Sequence, residues 1–291
     1  RDRKNINLDI HAQSVQVVMG LSGSGKSTLI RHINRLIEPT DGSVTVDGDE
    51  VLKMNEEELR SFRRSKTAMV FQRFALLPHK TVLQNTIFGL HIQNISEEDA
   101  NKSALRWIER VGLSGYEDKY PQHLSGGMQQ RVGLARALTN DGDILLMDEA
   151  FSALDPLIRK DMQDILLELQ DELHKTVVFI THDLDEALKI GDRIAILKDG
   201  IMDQEGIPAE ILLNPKTKYV KDFVEDVNRA RVIKAKHIMS EINGQDLSGA
   251  MPIDQDDFID RFIDKVISDN PDNLIIQDKD KKNVGFLSTK K

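Results

Sequence analysis

The chain has 291 residues, enough for one large domain or for a medium and a small one, with ample length for a buried core. Its formal charge of −9 and pI of about 5.4 argue against a general nucleic-acid binder, because no basic stripe is present to neutralise phosphates. Cysteine is absent, which excludes a disulfide frame and a thiolate metal site; no apolar run reaches the ~18 residues of a membrane span and no signal peptide is recognisable, so membrane attachment is expected only through a partner.

Val15-Gln16-Val17-Val18-Met19 is a β-branched run that predicts a strand. It leads into Gly20-Leu21-Ser22-Gly23-Ser24-Gly25-Lys26-Ser27-Thr28, a phosphate cradle. Its glycines let backbone N–H groups turn inward around phosphate oxygens, Lys26 reaches the terminal phosphates, and Ser27 can ligate Mg²⁺. A helix predicted over Ser27 to Ile37 adds its positive dipole end. Pro39 and Thr40-Asp41-Gly42 lie beyond it. Val44 to Val46 and Val51 flank Asp47-Gly48, a hairpin signal. Glu56 to Phe62 reads as a short polar helix, and Thr67 to Phe71 as a strand that delivers Gln72 at its end.

Ser96 followed by Asp99 predicts a capped helix running to Gly112, with Trp107, Ile108 and Val111 in its core face. Leu124 to Gln130 leads into a helix through Thr139. Ser125, Gly126 and Gly127 open it, so their N–H groups form a second anion site; a plain helix cap is the other reading of that segment. Ile144 to Met147 is a continuous apolar strand of the kind buried on both faces. It ends in Asp148, where a metal-holding acid is needed, and Glu149, where a water-activating base would sit. Asp155-Pro156 opens a helix to about Leu173. Thr176 to Ile180 is the next strand and ends at His182, which puts His182 and Glu149 at one sheet edge. Asp183, Asp185 and Glu186 read as helix-start charges rather than ligands. A hairpin around Asp199-Gly200 and short helices over Pro208 to Leu213 and Lys218 to Val224 follow.

In this order, the four segments at Gly20–Ser27, Leu124–Gln130, Ile144–Glu149 and Thr181–Asp183 resemble the nucleotide-binding subunit of ATP-binding-cassette (ABC) transporters. Leu124 to Gln130 matches the family signature, Gln72 the glutamine loop, Ser152-Ala153-Leu154-Asp155 the D-loop, and His182 the switch histidine. The resemblance covers about residues 1–235. It implies an α/β fold: a phosphate-loop ABC ATPase core with an inserted helical subdomain at about 73–140. It implies ATP and Mg²⁺, with Ser27, Gln72 and Asp148 around the metal. Glu149 would polarise the attacking water, His182 would contact the γ-phosphate, and Gln72 would sense it. The partner implied is a second copy in a head-to-tail dimer, in which Ser125, Gly126, Gly127, Gln129 and Asp155 of one subunit face the nucleotide on Gly20, Ser22, Gly23, Ser24, Gly25, Lys26, Ser27 and Thr28 of the other. ABC domains normally begin with a further strand whose aromatic stacks on adenine. Residues 1–19 hold no Phe, Tyr or Trp, so that strand is expected upstream of Arg1; a divergent protein that binds adenine another way is the other reading.

Asn34 to Thr40, Phe74 to His79, Asp148 to Asp155 and the linker Phe223 to Ala230 resemble ATPases of glycine betaine/proline-type osmoprotectant importers. Arg73 and Ala12-Gln13-Ser14-Val15 depart from that pattern, away from the catalytic positions. The resemblance implies a permease, a solute-binding protein acting indirectly, no nucleic acid, and a place at the cytoplasmic face of a bacterial plasma membrane, peripheral through the permease. The alternatives are an importer for another small solute, or a soluble ABC ATPase of repair or translation, which usually carries coiled-coil insertions or two cassettes. Arg60, Arg63, Arg64 and Lys66 read as a solvated face, with a contact to headgroups or permease as the other reading. Composition shifts near residues 225–240. Beyond it, a helix over Asp254 to Ile267 and a hairpin of Asn273–Gln277 with Asn283–Leu287 resemble one CBS motif, the regulatory element that binds adenine nucleotides such as cyclic di-AMP. Residues 236–291 are thus expected to be a partial CBS-like domain, or else a plain α/β appendage.

Overall fold

The computed structural model describes residues 5–72, 74–152, 154–244 and 247–289; Arg1, Arg73 and Ala153, all singled out above, lie outside them. The chain divides into two compact units, Arg1–Glu205 and Gly206–Lys291. The compositional shift near residues 225–240 falls inside the second unit.

In chain order the first unit holds β1 (Val15–Met19), α1 (Lys26–Ile33), β2 (Thr45–Val46), β3 (Asp49–Glu50), α2 (Glu56–Ser65), β4 (Thr67–Val70), α3 (Val82–Thr86), α4 (Phe88–Ile92), α5 (Glu97–Arg110), α6 (Gly126–Thr139), β5 (Ile144–Asp148), α7 (Pro156–Leu173), β6 (Thr176–Thr181), α8 (Leu184–Ile190), β7 (Arg193–Lys198) and β8 (Ile201–Gly206). Six strands form one sheet in the order β4-β5-β6-β1-β7-β8. The pairs β4/β5, β5/β6, β6/β1 and β1/β7 are parallel. β1, β5 and β6 have a neighbour on each side and are apolar along their length, as a sheet covered on both faces requires. Val18, Leu146, Val178 and Ile180 meet Ile30 of α1 on one face. Val17 points to the other, where a Cβ on Gly191, just past α8, would lie 2.8 Å from its Cγ2.

The helices α3 to α6 lie between β4 and β5 in the chain. α6 is buried around most of its circumference, which suits a helix packed on α3, α4, α5 and β4 at once. Trp107, Ile108 and Val111 are buried, as their helical spacing predicts. The expected caps form: Asn55 and Glu58 make a capping box on α2, Ser96 accepts from Asp99 N on α5, and Asp155 accepts from Ile158 N on α7. Both hairpin turns take positive φ at their central residues, 51° and 90° at Asp47-Gly48 and 51° and 79° at Asp199-Gly200. One helix is shorter than expected. α1 stops at Ile33 because Arg35 is left-handed at φ 51° and Arg63 of α2 donates to the carbonyls of Asn34 and Arg35.

The second unit opens with α9 (Pro208–Leu213) and α10 (Lys218–Phe223) and continues as β9 (Met251–Asp254), α11 (Ile259–Asp269), β10 (Asn273–Gln277) and β11 (Asn283–Ser288). The sheet order is β11-β10-β9, with β10 parallel to β9 and antiparallel to β11. Its core is Ala235, Ile253, Phe262, Leu274 and Ile276. β9 is not foreseen, and α11 begins five residues after Asp254. That aspartate instead turns the chain, accepting from Asp256 N on its side chain at 2.8 Å and from Asp257 N on its carbonyl at 3.1 Å.

Candidate functional site

The sheet register determines which residues meet. Val70 pairs with Met147, Met147 with Phe179, and Phe179 with Val17. Two residues further along each strand, the same row reaches Gln72, Glu149, Thr181 and Met19. Four chain segments therefore leave the sheet side by side at its carboxyl edge, the position where open α/β sheets take ligands.

The loop after β1 is built around glycine. At Gly20 (φ 152°) a Cβ would lie 2.2 Å from Leu197 O and 2.8 Å from Ser24 Oγ, so no side chain fits. Gly23 and Gly25 hold φ of 82° and 96°. Gly25 caps α1, and the following Lys26 is only 4 % exposed. Its ammonium donates to Gly20 O at 2.8 Å and Leu21 O at 3.1 Å and stands 3.9 Å from Glu149 Oε1. Burial lowers the Lys26 pKa, against the pull of Glu149 and Asp148. Ser24 is buried with its hydroxyl unpartnered, whereas Ser22 and Thr28 are exposed.

Asp148 is completely buried at the end of β5. Ser27 donates to its Oδ1 at 2.7 Å and Arg31 to its Oδ2 at 3.0 Å. A hydroxyl and a carboxylate side by side, next to an orphaned buried hydroxyl and a glycine-lined cradle, form a donor set suited to a hard divalent cation carried on phosphates. Glu149 follows in a left-handed conformation, φ 48°, with its N–H on Ile180 O at 3.1 Å. Backbone strain of this kind aims the carboxylate out of the sheet edge. Gln72 Nε2 donates to its Oε2 at 2.7 Å, and His182 Nδ1 stands 3.7 Å from its Oε1. Lys26, Ser27, Gln72, Asp148, Glu149 and His182 thus form one connected set.

The remaining expected residues make their bonds elsewhere. Ser125 caps α6 through Met128 N at 3.3 Å and is exposed, as is Gly126. Gln129 donates to Pro121 O and Leu124 O, which fixes the turn before that helix. A Cβ at Gly127 would meet Leu154 at 3.0 Å, and one at Gly126 would meet Phe74 at 3.6 Å. The opening of α6 is therefore seated against the segments that follow Gln72 and Glu149. Arg136 of α6 holds the former by donating to Ala75 O at 2.7 Å and Phe74 O at 3.2 Å. Sequence reasoning misses two arginines, Arg31 and Arg159. Each carries a spacing signal: Arg31 lies one helical turn after Ser27, and Arg159 one turn after Asp155.

Comparison with known proteins fits this geometry. The family model described as ABC transporter matches residues 3–152. The glycine betaine transport ATP-binding protein OpuAA of Bacillus subtilis (strain 168) is 60% identical over 233 residues, 80% of this chain and 56% of that protein. The trimethylamine N-oxide transport system ATP-binding protein TmoW of Pelagibacter ubique (strain HTCC1062) is 46% identical over 287 residues, 99% of this chain and 84% of that protein. The chain thus spans little more than half the length of its glycine betaine relatives. Among solved structures, the dimeric post-hydrolysis state of the ATP-binding cassette MJ0796 bound to ADP and Pi has a TM-score of 0.67 at 39% identity, covering 70% of this chain and 90% of that one.

Proposed function

We propose that this chain, which belongs to the ABC transporter family, is the ATP-hydrolysing subunit of an importer for an N-methylated osmolyte of the glycine betaine type. The ATPase part of the reading is carried by the meeting of Gln72, His182 and Lys26 on Glu149, beside the glycine cradle and the Ser27–Asp148 pair, and the solute class by the 60% identity to the glycine betaine relative. The roles follow from that arrangement. Lys26 exchanges its carbonyl partners for phosphate oxygens of ATP. Ser27 and Asp148, with Gln72, would hold the Mg²⁺ that accompanies the nucleotide, and the ion would supply neutralisation of phosphate charge. Glu149 takes the proton of a water as its oxygen bonds the γ-phosphorus and the bond to the ADP oxygen breaks. His182 steadies the γ-phosphate and Glu149 together.

Ser125 and Gly126 are exposed at a helix N-terminus, a surface suited to the phosphates of a second copy bound head-to-tail. Gly127, Gln129 and Asp155 support that face. No described helix is long and apolar enough to cross a membrane. In this reading a permease supplies the path, a solute-binding protein feeds it, and this chain sits peripherally at the cytoplasmic face of the plasma membrane. The tail is read as a CBS-like regulatory unit with cyclic di-AMP as its ligand.

One relative brings a second solute into the same test. The match to the trimethylamine N-oxide relative runs through the tail, covering 99% of the chain, while the glycine betaine match covers 80%. The chain with its permease, in vesicles, answers both questions. ATP-driven uptake of labelled glycine betaine supports the first reading, and uptake of trimethylamine N-oxide alone supports the second. Neither uptake, with no hydrolysis, removes both.

A further inference from the structure

Glu149 and His182 sit on two loops whose relative position is not fixed by the sheet alone. After Glu149 the chain turns through Ser152 and Leu154 to Asp155, which caps α7. After His182, Asp183 caps α8 through Glu186 N at 3.1 Å. One side chain of α7 reaches both loops. Arg159 donates through Nη2 to Leu154 O at 3.2 Å and through Nη1 to Asp183 Oδ2 at 3.3 Å. One turn further along α7, Gln163 donates to Glu186 Oε1 at 3.1 Å. Thr181 completes the bracket around His182: its hydroxyl accepts from Asp183 N at 3.0 Å. Asp155, Arg159 and Gln163 recur every fourth residue, so one polar stripe of α7 faces both loops. Arg159 also walls a cavity of about 20 Å³ that it shares with Glu149, Ser152 and His182.

We propose that Arg159 is a positioning residue for ATP hydrolysis, tying the Asp155 segment to the His182 loop and so setting His182 against Glu149. The inference rests on the proposed ATPase reading and extends it to a residue whose bonds go to protein groups, Leu154 O and Asp183 Oδ2. Two acceptors in different directions call for a planar fork, which a lysine ammonium cannot supply. A half-exposed ion pair contributes little to stability. Its loss is therefore felt in the placement of His182 more than in folding.

The test is steady-state hydrolysis by the assembled transporter in vesicles over an ATP series. Arg159→Gln is expected to lower kcat roughly tenfold to a hundredfold, the cost of a misplaced catalytic group, with the KM for ATP within about twofold because Lys26 and the cradle are untouched. Arg159→Lys should recover part of the loss. Asp183→Asn keeps the cap on α8 but removes the charge facing Arg159, so it serves even where Arg159→Gln folds poorly, and it too should lower kcat. The double variant should be no slower than the slower single one, the signature of a shared pathway. Unchanged kcat in both single variants, or losses that multiply in the double, would overturn the inference while leaving the ATPase reading intact. Absence of hydrolysis by the unaltered complex would remove that reading and this inference with it.

Discussion

Gln72 and Glu149 are joined by a 2.7 Å hydrogen bond although they lie 77 residues apart, each just past the end of one of two neighbouring strands. The bond exists because β4 and β5 run parallel in a register that leaves both residues two positions beyond the same row. It gives the carboxylate a donor on one oxygen while the other faces Lys26 and His182. A carboxylate held from three sides is preorganised as a base.

Glu149→Gln keeps a side chain of the same shape and an acceptor for Gln72, but removes the proposed base. Hydrolysis by the full complex should fall at least about 100-fold. ATP binding should stay within a few-fold, because Lys26, Ser27 and Asp148 remain. With ATP the variant should run as a dimer on size exclusion. Near-normal turnover would remove Glu149 from the role of base.

Much of this site is legible from residue order. β1, β5 and β6 announce themselves as continuous apolar runs, and the loops that end them carry the glycines, acids and histidine that a nucleotide requires. What stays hidden depends on tertiary partners. The early end of α1 comes from Arg63 reaching across from α2, which no local pattern encodes. β9 is a four-residue strand with one buried residue, Ile253, too short for its period to stand out. Asp183 and Glu186 do cap and open α8 as their position suggests, yet their side chains also meet α7 through Arg159 and Gln163. A helix-start pattern says nothing about that second contact.

Ser125→Arg tests the face presented to a second copy. Ser125 is exposed, and among the described residues its side chain bonds Met128 N alone, as the helix cap. Losing that cap costs about 1 kcal/mol, so the variant should stay folded with a slightly lower Tm. The arginine would occupy the space where the opposing nucleotide docks, and hydrolysis should drop more than about tenfold through loss of that transition-state contact. Normal hydrolysis by a well-folded variant would contradict the head-to-tail arrangement.

Glu186 gives a pH prediction. Burial raises its carboxyl above the ordinary value of 4.5, and Asp183 adds to the rise, against hydrogen bonds from Thr181 and Gln163 and the charge of Arg159. The folded chain therefore binds this proton more tightly than the unfolded one. Stability from this group is present below the folded pKa and declines as pH rises from about 4.5 through it. Glu186→Gln has no proton to lose and keeps an oxygen for Thr181 and Gln163. Its melting temperature should fall less than that of the unaltered chain between the two pH limits. Parallel melting curves in the two proteins would assign the pH dependence elsewhere.

The tail can be perturbed without touching the chemistry, because no residue assigned to hydrolysis or to its positioning lies beyond Glu186, and all are in the first unit. Phe262 is 6% exposed and packs with Ala235, Ile253, Leu274 and Ile276. Phe262→Ala should cost about 3–5 kcal/mol, a large share of the roughly 5–15 kcal/mol that holds a domain together. Hydrogen exchange in β10 should accelerate sharply while the amides of β5 and β6 stay protected. On the regulatory reading of the tail, ATP hydrolysis at activating high salt without cyclic di-AMP should change less than about twofold, whereas inhibition by low ionic strength or by cyclic di-AMP should disappear. The measurement is solute-stimulated hydrolysis in vesicles across a salt series, with and without the nucleotide. An unchanged response despite an unprotected β10 would leave the tail with no part in regulation, and the control would then have to lie in the first unit or the permease.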